Sequence, residues 1–301
     1  LSHEYSGASG LFRSSVAFAK DIKLAHSVFA LPFAAASFFI GQIPLPGWSQ
    51  VLLLLSAMIS ARTFAMGMNR WLDRDIDKLN VRTSGRAVPS GVLSPRMCIL
   101  WSAIAALVLI LSSFLLSRLA GMLSFPLLLL LAGYSLMKRV SWLTHLYLGA
   151  CLGFAPVAVE VALKGEFSIP VLLLAGGVTF WTAGFDILYS LQDEGFDKKM
   201  GLRSIPARFG ARAALQFSRI CFLVSIALFC WTGWSVDAGW PYFFGTGLIA
   251  AILFWEQFYV RNAAEGLEES RLNAAFFTAN AWVSVVFLIF CVFDSLWGRL
   301  T

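Results

Sequence analysis

Charge is scarce in this chain. Lysine and arginine number 23 and aspartate and glutamate 17 among 301 residues, so charged residues make up 13% while hydrophobic ones make up 58%. With a mean hydropathy of +0.75, this excludes an ordinary soluble domain and points to a polytopic membrane protein. Cysteine offers no framework either. Cys98, Cys151, Cys221, Cys230 and Cys291 lie in or beside apolar runs with no CxxC spacing, so they read as small hydrophobes rather than metal ligands or disulfide partners. His26 and His145 sit at span ends and lack metal-ligand spacing, which leaves interfacial hydrogen bonding as their reading. Leu1 to Lys20 contains no apolar stretch long enough for a signal peptide; Leu11, Phe12, Val16 and Phe18 suggest a short interfacial helix instead. The net charge of +6 requires no nucleic acid, because basic loops beside an anionic leaflet account for it.

What the chain does have is apolar runs. Nine are long enough to span a membrane, at about 22–41, 49–69, 97–117, 119–137, 142–163, 170–190, 215–235, 241–260 and 275–297. With Lys23 at the edge of the first run included, 18 Lys and Arg fall on one side of these runs and three (Arg118, Lys164 and Arg299) on the other. Cytoplasmic loops carry the positive excess, so the expected topology has a cytoplasmic N-terminus and an outer C-terminus.

Two acidic clusters stand at the cytoplasmic ends of spans. The first contains Asn69, Asp73 and Asp77, and the second contains Asp186, Asp193 and Asp197. Carboxylates four residues apart share one helical face. A helix C-terminus is already electronegative, so acids stacked there call for a metal ion or a basic neighbour. Each cluster is followed by a basic loop: Lys78, Arg82 and Arg86 before Pro89, then Lys198, Arg203 and Arg208 around Pro206. This weak internal repeat divides a single membrane domain into halves at about 22–140 and 142–260.

Alternating acids and bases suit an anionic ligand that carries divalent metal. Magnesium is a hard ion that takes one or two carboxylates together with phosphate oxygens. Asp73, Asp77, Asp193 and Asp197, with Asn69 as a neutral oxygen donor, would hold two magnesium ions on a diphosphate, and Lys138, Arg139, Arg82, Arg86 and Arg203 would contact its oxygens. A diphosphate inside a membrane implies a lipid tail, and metal on it makes a leaving group, so the expected step is heterolysis of an allylic C–O bond. Phe29, Phe33, Trp71, Tyr134, Phe185 and Tyr189 are available to face the resulting cation. Arg62 lies two helical turns before Asn69 on the same face, where a substrate carboxylate or diphosphate is the expected partner. Glu160 either pairs with Arg62 or faces an aqueous vestibule.

These residues resemble the UbiA superfamily of intramembrane aromatic prenyltransferases. The first motif, N-x3-D-x3-D with a basic R-T-x2-R-x2-P-x-G, is met by Asn69, Asp73, Asp77, Arg82, Thr83, Arg86, Pro89 and Gly91. The second is met by Phe180, Trp181, Asp186, Tyr189, Asp193 and Asp197, and Tyr134, Lys138 and Arg139 resemble the stretch between them. One departure is Asn69-Arg70, where many members read Asn-Asp; Asp75 is the candidate to compensate.

The resemblance implies an all-α bundle of nine transmembrane helices around a central cavity, open laterally to membrane lipid. It also implies magnesium-dependent transfer from a polyprenyl diphosphate to an aromatic acid acceptor such as 4-hydroxybenzoate or a dihydroxynaphthoate, in ubiquinone or menaquinone biosynthesis. Arg62 or Lys23 would anchor the acceptor carboxylate, with Tyr189 and Asp186 on the same acceptor side, and the membrane would be the bacterial cytoplasmic one. A haem O synthase-like enzyme or another member of the superfamily is the alternative within this class. A polytopic carrier or lipid-phosphate binding protein is the alternative outside it.

Overall fold

The structure, a computed structural model, describes residues 7–22, 30–263 and 269–298. The described residues are helical apart from turns and short links: α1 (Gly7–Asp21), α2 (Leu31–Ile40), α3 (Trp48–Leu72), α4 (Arg74–Leu79), α5 (Pro95–Leu116), α6 (Arg118–Val140), α7 (Thr144–Lys164), α8 (Ile169–Ser190), α9 (Glu194–Met200), α10 (Ile205–Ser235), α11 (Trp240–Ala263) and α12 (Glu269–Trp297). Among the described residues eight helices are long and apolar enough to cross a membrane, which makes this an integral membrane protein with an all-α fold. The first of the nine expected spans is represented by the ten-residue apolar helix α2; positions 23–29 of that run, including Lys23, His26 and Phe29, lie outside the described residues.

Three of the long helices begin in the same way. Ser94, Ser168 and Ser204 are extended N-caps whose hydroxyls accept the N–H of Met97 (3.3 Å), Val171 (3.4 Å) and Ala207 (3.3 Å), and each is followed by proline at the first or second helical position. The serine oxygen satisfies an N–H that would otherwise lack a partner, and proline fills a position with no N–H to lose.

The chain divides into two compact units, one drawn from Leu1–Ser27 and Trp48–Leu136, the other from Val28–Gly47 and Met137–Thr301. In the first unit α3 packs along α5, with Ser112 Oγ donating to Ser56 Oγ at 3.1 Å and Cys98 Sγ to the Gly67 carbonyl at 3.4 Å. Phe18 and Ile22 join Ala87, Val88, Leu93 and Cys98 in a buried cluster, so the α1 segment and the loop before α5 share one core. Leu100, Ile104, Leu107 and Leu111 form an exposed stripe on α5 at helical spacing, left for lipid.

In the second unit α8 is the axis, with α7 and α10 packed along it. Gly177 and Gly184 are seven residues apart and receive Phe229 and Phe222 of α10, while Ser225 and Ser218 donate to their carbonyls at 2.8 Å each. Two helices with the same seven-residue register thus meet backbone to ring, a contact that only glycine permits. Trp181, Phe33, Phe229 and Phe287 stack into the adjoining core, and Trp181 Nε1 donates to Asn280, which in turn donates to the buried Glu256 at 3.0 Å. Phe33 is therefore a packing residue and does not line a substrate cavity. Glu160 is also fully buried and accepts the Ser168 N–H at 2.9 Å, so it does not face an aqueous vestibule.

Gly177→Val is expected to drive a side chain into the Phe229 ring and destabilise the protein by about 1–3 kcal/mol. Ser225→Ala removes only a hydrogen bond and should cost about 1 kcal/mol. Thermal unfolding in detergent measures both, and equal effects would mean that the ring contact is not what limits this crossing.

Candidate functional site

The first acidic end is built on a broken helix. α3 stops at Leu72, Asp73 takes φ −93° and ψ 2°, and the chain resumes as α4. The Asp73 N–H still reaches the Asn69 carbonyl (2.9 Å) and the Asp77 N–H reaches the Asp73 carbonyl (2.7 Å), so the four-residue spacing survives the break. Asp73 and Asp77 are only 1% and 4% exposed. Because α3 ends before them, Asp73 is the N-cap of α4, and Asp75 and Asp77 lie in its first turn. The expectation of acids stacked on an electronegative helix end is thereby corrected: they sit at the favourable end of a new short helix.

Each acid has a polar neighbour. Arg86 Nη1 lies 2.6 Å from Asp77 Oδ2, and Thr83 Oγ1 donates to the Asp77 carbonyl at 3.0 Å. Asn69 Nδ2 donates to Asp73 Oδ2 at 2.8 Å and to Ser135 Oγ of α6 at 3.0 Å. Asn69 thus turns its amide nitrogen toward Asp73, whereas a metal-ligating asparagine would offer its oxygen. That oxygen accepts from Arg70 Nη1 at 2.9 Å, and Arg70 Nε is 3.0 Å from Asp21 Oδ2. Asp75 is 83% exposed beside Arg74, so it does not compensate for the acid that Arg70 replaces. Arg82 is exposed, its backbone N–H bonded to Asn80 Oδ1. Trp71 packs against the Phe18 cluster and lies under the Arg74 guanidinium at 5.5 Å. Gly91, at φ 81°, closes the basic loop so that the Leu93 N–H reaches the Ala87 carbonyl at 2.8 Å, a backbone turn that suits glycine. Partway along α3, the buried Nε of Arg62 has no hydrogen-bond partner.

The second acidic end repeats the design. α8 gives way to a 3₁₀ turn over Leu191–Asp193, Asp193 takes φ −98° and ψ 0°, and α9 follows with Glu194 and Asp197 in its first turn. Asp197 is buried and hydrogen-bonded to the Ser204 side chain, with Asp193, Lys138 and His145 as the other charged or titratable groups acting on it. Asp186 is held differently: its Oδ2 is 2.7 Å from His145 Nδ1, and His145 Nε2 accepts the Ile205 N–H at 3.3 Å. A nitrogen that accepts carries no proton, so the imidazole is the Nδ1–H form donating to Asp186. The buried His145 therefore joins the starts of α7 and α10 to α8, an intramolecular role rather than an interfacial one. Arg203 Nη1 donates to the Val140 carbonyl at 2.6 Å and its N–H to the Lys138 carbonyl at 2.7 Å, so it caps the end of α6. This binding of the expected diphosphate contact Arg203 to backbone is a departure from the sequence reading. Tyr189 is half-buried on α8, Lys138 is half-buried, and Arg139 is exposed.

Among the described residues, no three His, Cys, Asp or Glu side chains converge as a closed metal cage would require. Sequence reasoning missed Asp21, Ser135 and the His145 contact. A buried Arg70 beside an expected acidic cluster was the one signal that an additional acid must be close.

The UbiA prenyltransferase family matches residues 30–293. The 4-hydroxybenzoate octaprenyltransferase of Methylobacillus flagellatus is 29% identical over 220 residues, covering 72% of this chain and 74% of that protein. The enzyme of the same name from Burkholderia mallei is 29% identical over 247 residues, covering 80% and 82%. Among solved structures, the apo UbiA homolog from Aeropyrum pernix K1 superposes with a TM-score of 0.80 at 30% identity, covering 90% of this chain and 98% of that one. A UbiA homolog from Archaeoglobus fulgidus bound to GPP and Mg2+ has the same fold, with a TM-score of 0.68 at 19% identity over 92% and 98% of the two chains.

His145→Leu should leave both Asp186 and the Ile205 N–H without their partner. A loss of about 1–3 kcal/mol is expected in detergent unfolding. His145→Gln, which can still donate and accept, should recover part of it; no recovery would mean that ring packing and not the two hydrogen bonds accounts for the effect.

Proposed function

The chain belongs to the UbiA prenyltransferase family and is a prenyltransferase, and we propose that it transfers a polyprenyl group from an allylic diphosphate to the ring of a hydroxyaromatic acid in quinone biosynthesis. The observation that carries this reading is the buried pair Asp73 and Asp77 with Arg86 at 2.6 Å, a carboxylate-and-guanidinium set at the end of an apolar helix. The acceptor is 4-hydroxybenzoate or a dihydroxynaphthoate; the names of the Methylobacillus and Burkholderia relatives support the first. The membrane is the bacterial cytoplasmic membrane, and the acidic ends act on its cytoplasmic side.

The donor set fits magnesium. Paired carboxylates are hard oxygen donors, and magnesium takes one or two of them together with the phosphate oxygens and waters that complete its shell. Asp73, Asp77, Asp193 and Asp197 would hold two such ions, whose chemistry is to neutralise a departing diphosphate. Arg86, Arg82, Lys138 and Arg139 serve its oxygens, and Arg86, already beside Asp77, needs only to share its guanidinium between carboxylate and phosphate. In the reaction the C–O bond at the allylic carbon breaks and its electron pair leaves on the diphosphate. A ring carbon of the acceptor bonds to the allylic carbon, and the ring then loses a proton. The apolar helices exclude the water that would compete for the cation. Arg62, whose Nε lacks a partner, anchors the acceptor carboxylate, with Lys23 as the alternative anchor and Tyr189 and Asp186 on the acceptor side.

Asp73→Ala, Asp77→Ala, Asp193→Ala and Asp197→Ala are each expected to reduce turnover of a prenyl diphosphate to background, while the protein remains extractable in folded form. Wild type should lose activity in EDTA and regain it with magnesium. Activity that persists in EDTA would refute the metal-diphosphate reading. Arg62→Lys should raise the acceptor KM more than the donor KM, because lysine cannot reproduce a bidentate carboxylate contact. Prenylation of an uncarboxylated ring and of neither aromatic acid would overturn the acceptor assignment alone.

Sidedness is tested separately. Single cysteines at Ser84 and Lys199 in a cysteine-free variant should both react from the cytoplasmic side of oriented vesicles. Labelling from opposite sides would exclude a common substrate for the two acidic ends.

A further inference from the structure

Arg70 follows Asn69 at the end of α3 and is 5% exposed, a costly place for a guanidinium. Its two terminal nitrogens donate hydrogen bonds, and Nε makes an ion pair without hydrogen-bond geometry. Nε is 3.0 Å from Asp21 Oδ2, Nη2 donates to the Asp21 backbone carbonyl at 3.3 Å, and Nη1 donates to Asn69 Oδ1 at 2.9 Å. Asp21 is itself fixed, its Oδ1 accepting the Ala87 N–H of the basic loop at 2.8 Å. With its oxygen facing a cationic donor, Asn69 can only present N–H to Asp73 Oδ2 (2.8 Å) and Ser135 Oγ (3.0 Å). Turning the amide over would set its NH₂ against the guanidinium and its oxygen against the carboxylate, losing both bonds and opposing like groups.

We propose that Asn69 is not a metal ligand in this chain but a positioning residue that orients the Asp73 carboxylate, and that Arg70, braced by Asp21 of α1, fixes Asn69 in that role. Metal at the first acidic end is then bound by carboxylates alone. The helix α1 becomes part of the site's support, because its last residue holds the arginine that holds the amide. This inference rests on the magnesium-diphosphate reading above.

Electrostatics and positioning predict opposite signs, which makes the proposal testable. A cation beside a metal site repels the metal, so if Arg70 acted through charge alone, Arg70→Met would tighten metal binding. If it orients Asn69 and through it Asp73, the same change weakens binding, by about tenfold on the scale of other groups that orient metal ligands. The measurement is Mn2+ binding to the full chain in detergent, read from the spectrum of the free ion, with the melting temperature of each variant recorded alongside. Arg70→Lys keeps the charge but cannot hold Asp21 and Asn69 together, so it should also weaken binding. The double variant Asn69→Leu with Arg70→Met should bind no more weakly than Asn69→Leu alone. Tighter binding in Arg70→Met, unchanged binding in Arg70→Lys, or additive losses in the double variant would each overturn the proposal. If Arg70→Met does not fold, Arg70→Lys and the Asn69→Leu comparison made with it decide the matter. Wild-type protein that binds no Mn2+ would remove the metal reading and this inference together, whereas wild-type binding with the wrong sign in the variants removes this inference only.

Discussion

A charge at the end of an apolar helix has to be neutralised by something that is also in place there. The cost of burying an unpaired carboxylate or guanidinium is several kcal/mol, which no amount of surrounding apolar contact offsets locally. That constraint organises both acidic ends. Asp77 is met by Arg86 and Arg70 by Asp21, while Asp186 accepts a hydrogen bond from the His145 imidazole, and the loops that deliver these partners are held by the same groups through Thr83, Ala87 and Ile205. Satisfying the charges and folding the loops are therefore one process. A site assembled in this way already contains the cations that an anionic substrate needs, and a ligand has only to share them.

Such pairing works only on a rigid frame. In the second unit the frame is the α8–α10 crossing, where glycine carbonyls accept serine hydroxyls and glycine surfaces receive phenylalanine rings in one seven-residue register. Helices that approach this closely have little freedom to slide, because any shift misplaces two rings and two hydrogen bonds at once. The register ends near Gly184, two residues before Asp186 and about two turns before the break that carries Asp193. The chemistry thus begins where the tightest packing stops.

Much of this was legible in the sequence. The long apolar runs gave the all-α membrane fold, and the spacing of Asn69, Asp73 and Asp77 and of Asp186, Asp193 and Asp197 gave the two acidic ends, because helical periodicity is a local property. The rest depends on contacts between distant residues. Asp21 is 49 positions from Arg70 and looks like an ordinary surface acid beside Lys20. Arg203 looks like a phosphate contact until Val140 is found at its tip, and Phe33 looks like a cavity residue until it is buried among Trp181, Phe229 and Phe287. The division into halves is similar: the compact units part between Leu136 and Met137, but Val28–Gly47 belongs with the second unit, a grouping that no periodicity encodes.

The helix breaks at Asp73 and Asp193 explain how acids can be stored at the end of a membrane helix. In an uninterrupted helix the carboxylates would lie at the negative end of a macrodipole more than twenty residues long. Breaking the backbone once, with nearly the same torsion angles in both units, converts the same residues into the N-cap and first turn of a short helix, where an acid gains about 0.3–1 kcal/mol instead of losing it. The short helices that follow are six and seven residues long, too brief to be stable by themselves, and both are anchored by what comes next: Thr83 on the Asp77 carbonyl, and Leu202 on that of Asp197 at 2.9 Å. The acids keep their four-residue spacing across the break, so one face still presents both carboxylates to a cation. The break therefore removes the electrostatic penalty without giving up the geometry, and its recurrence in both units gives a physical reason for the same motif to be used twice.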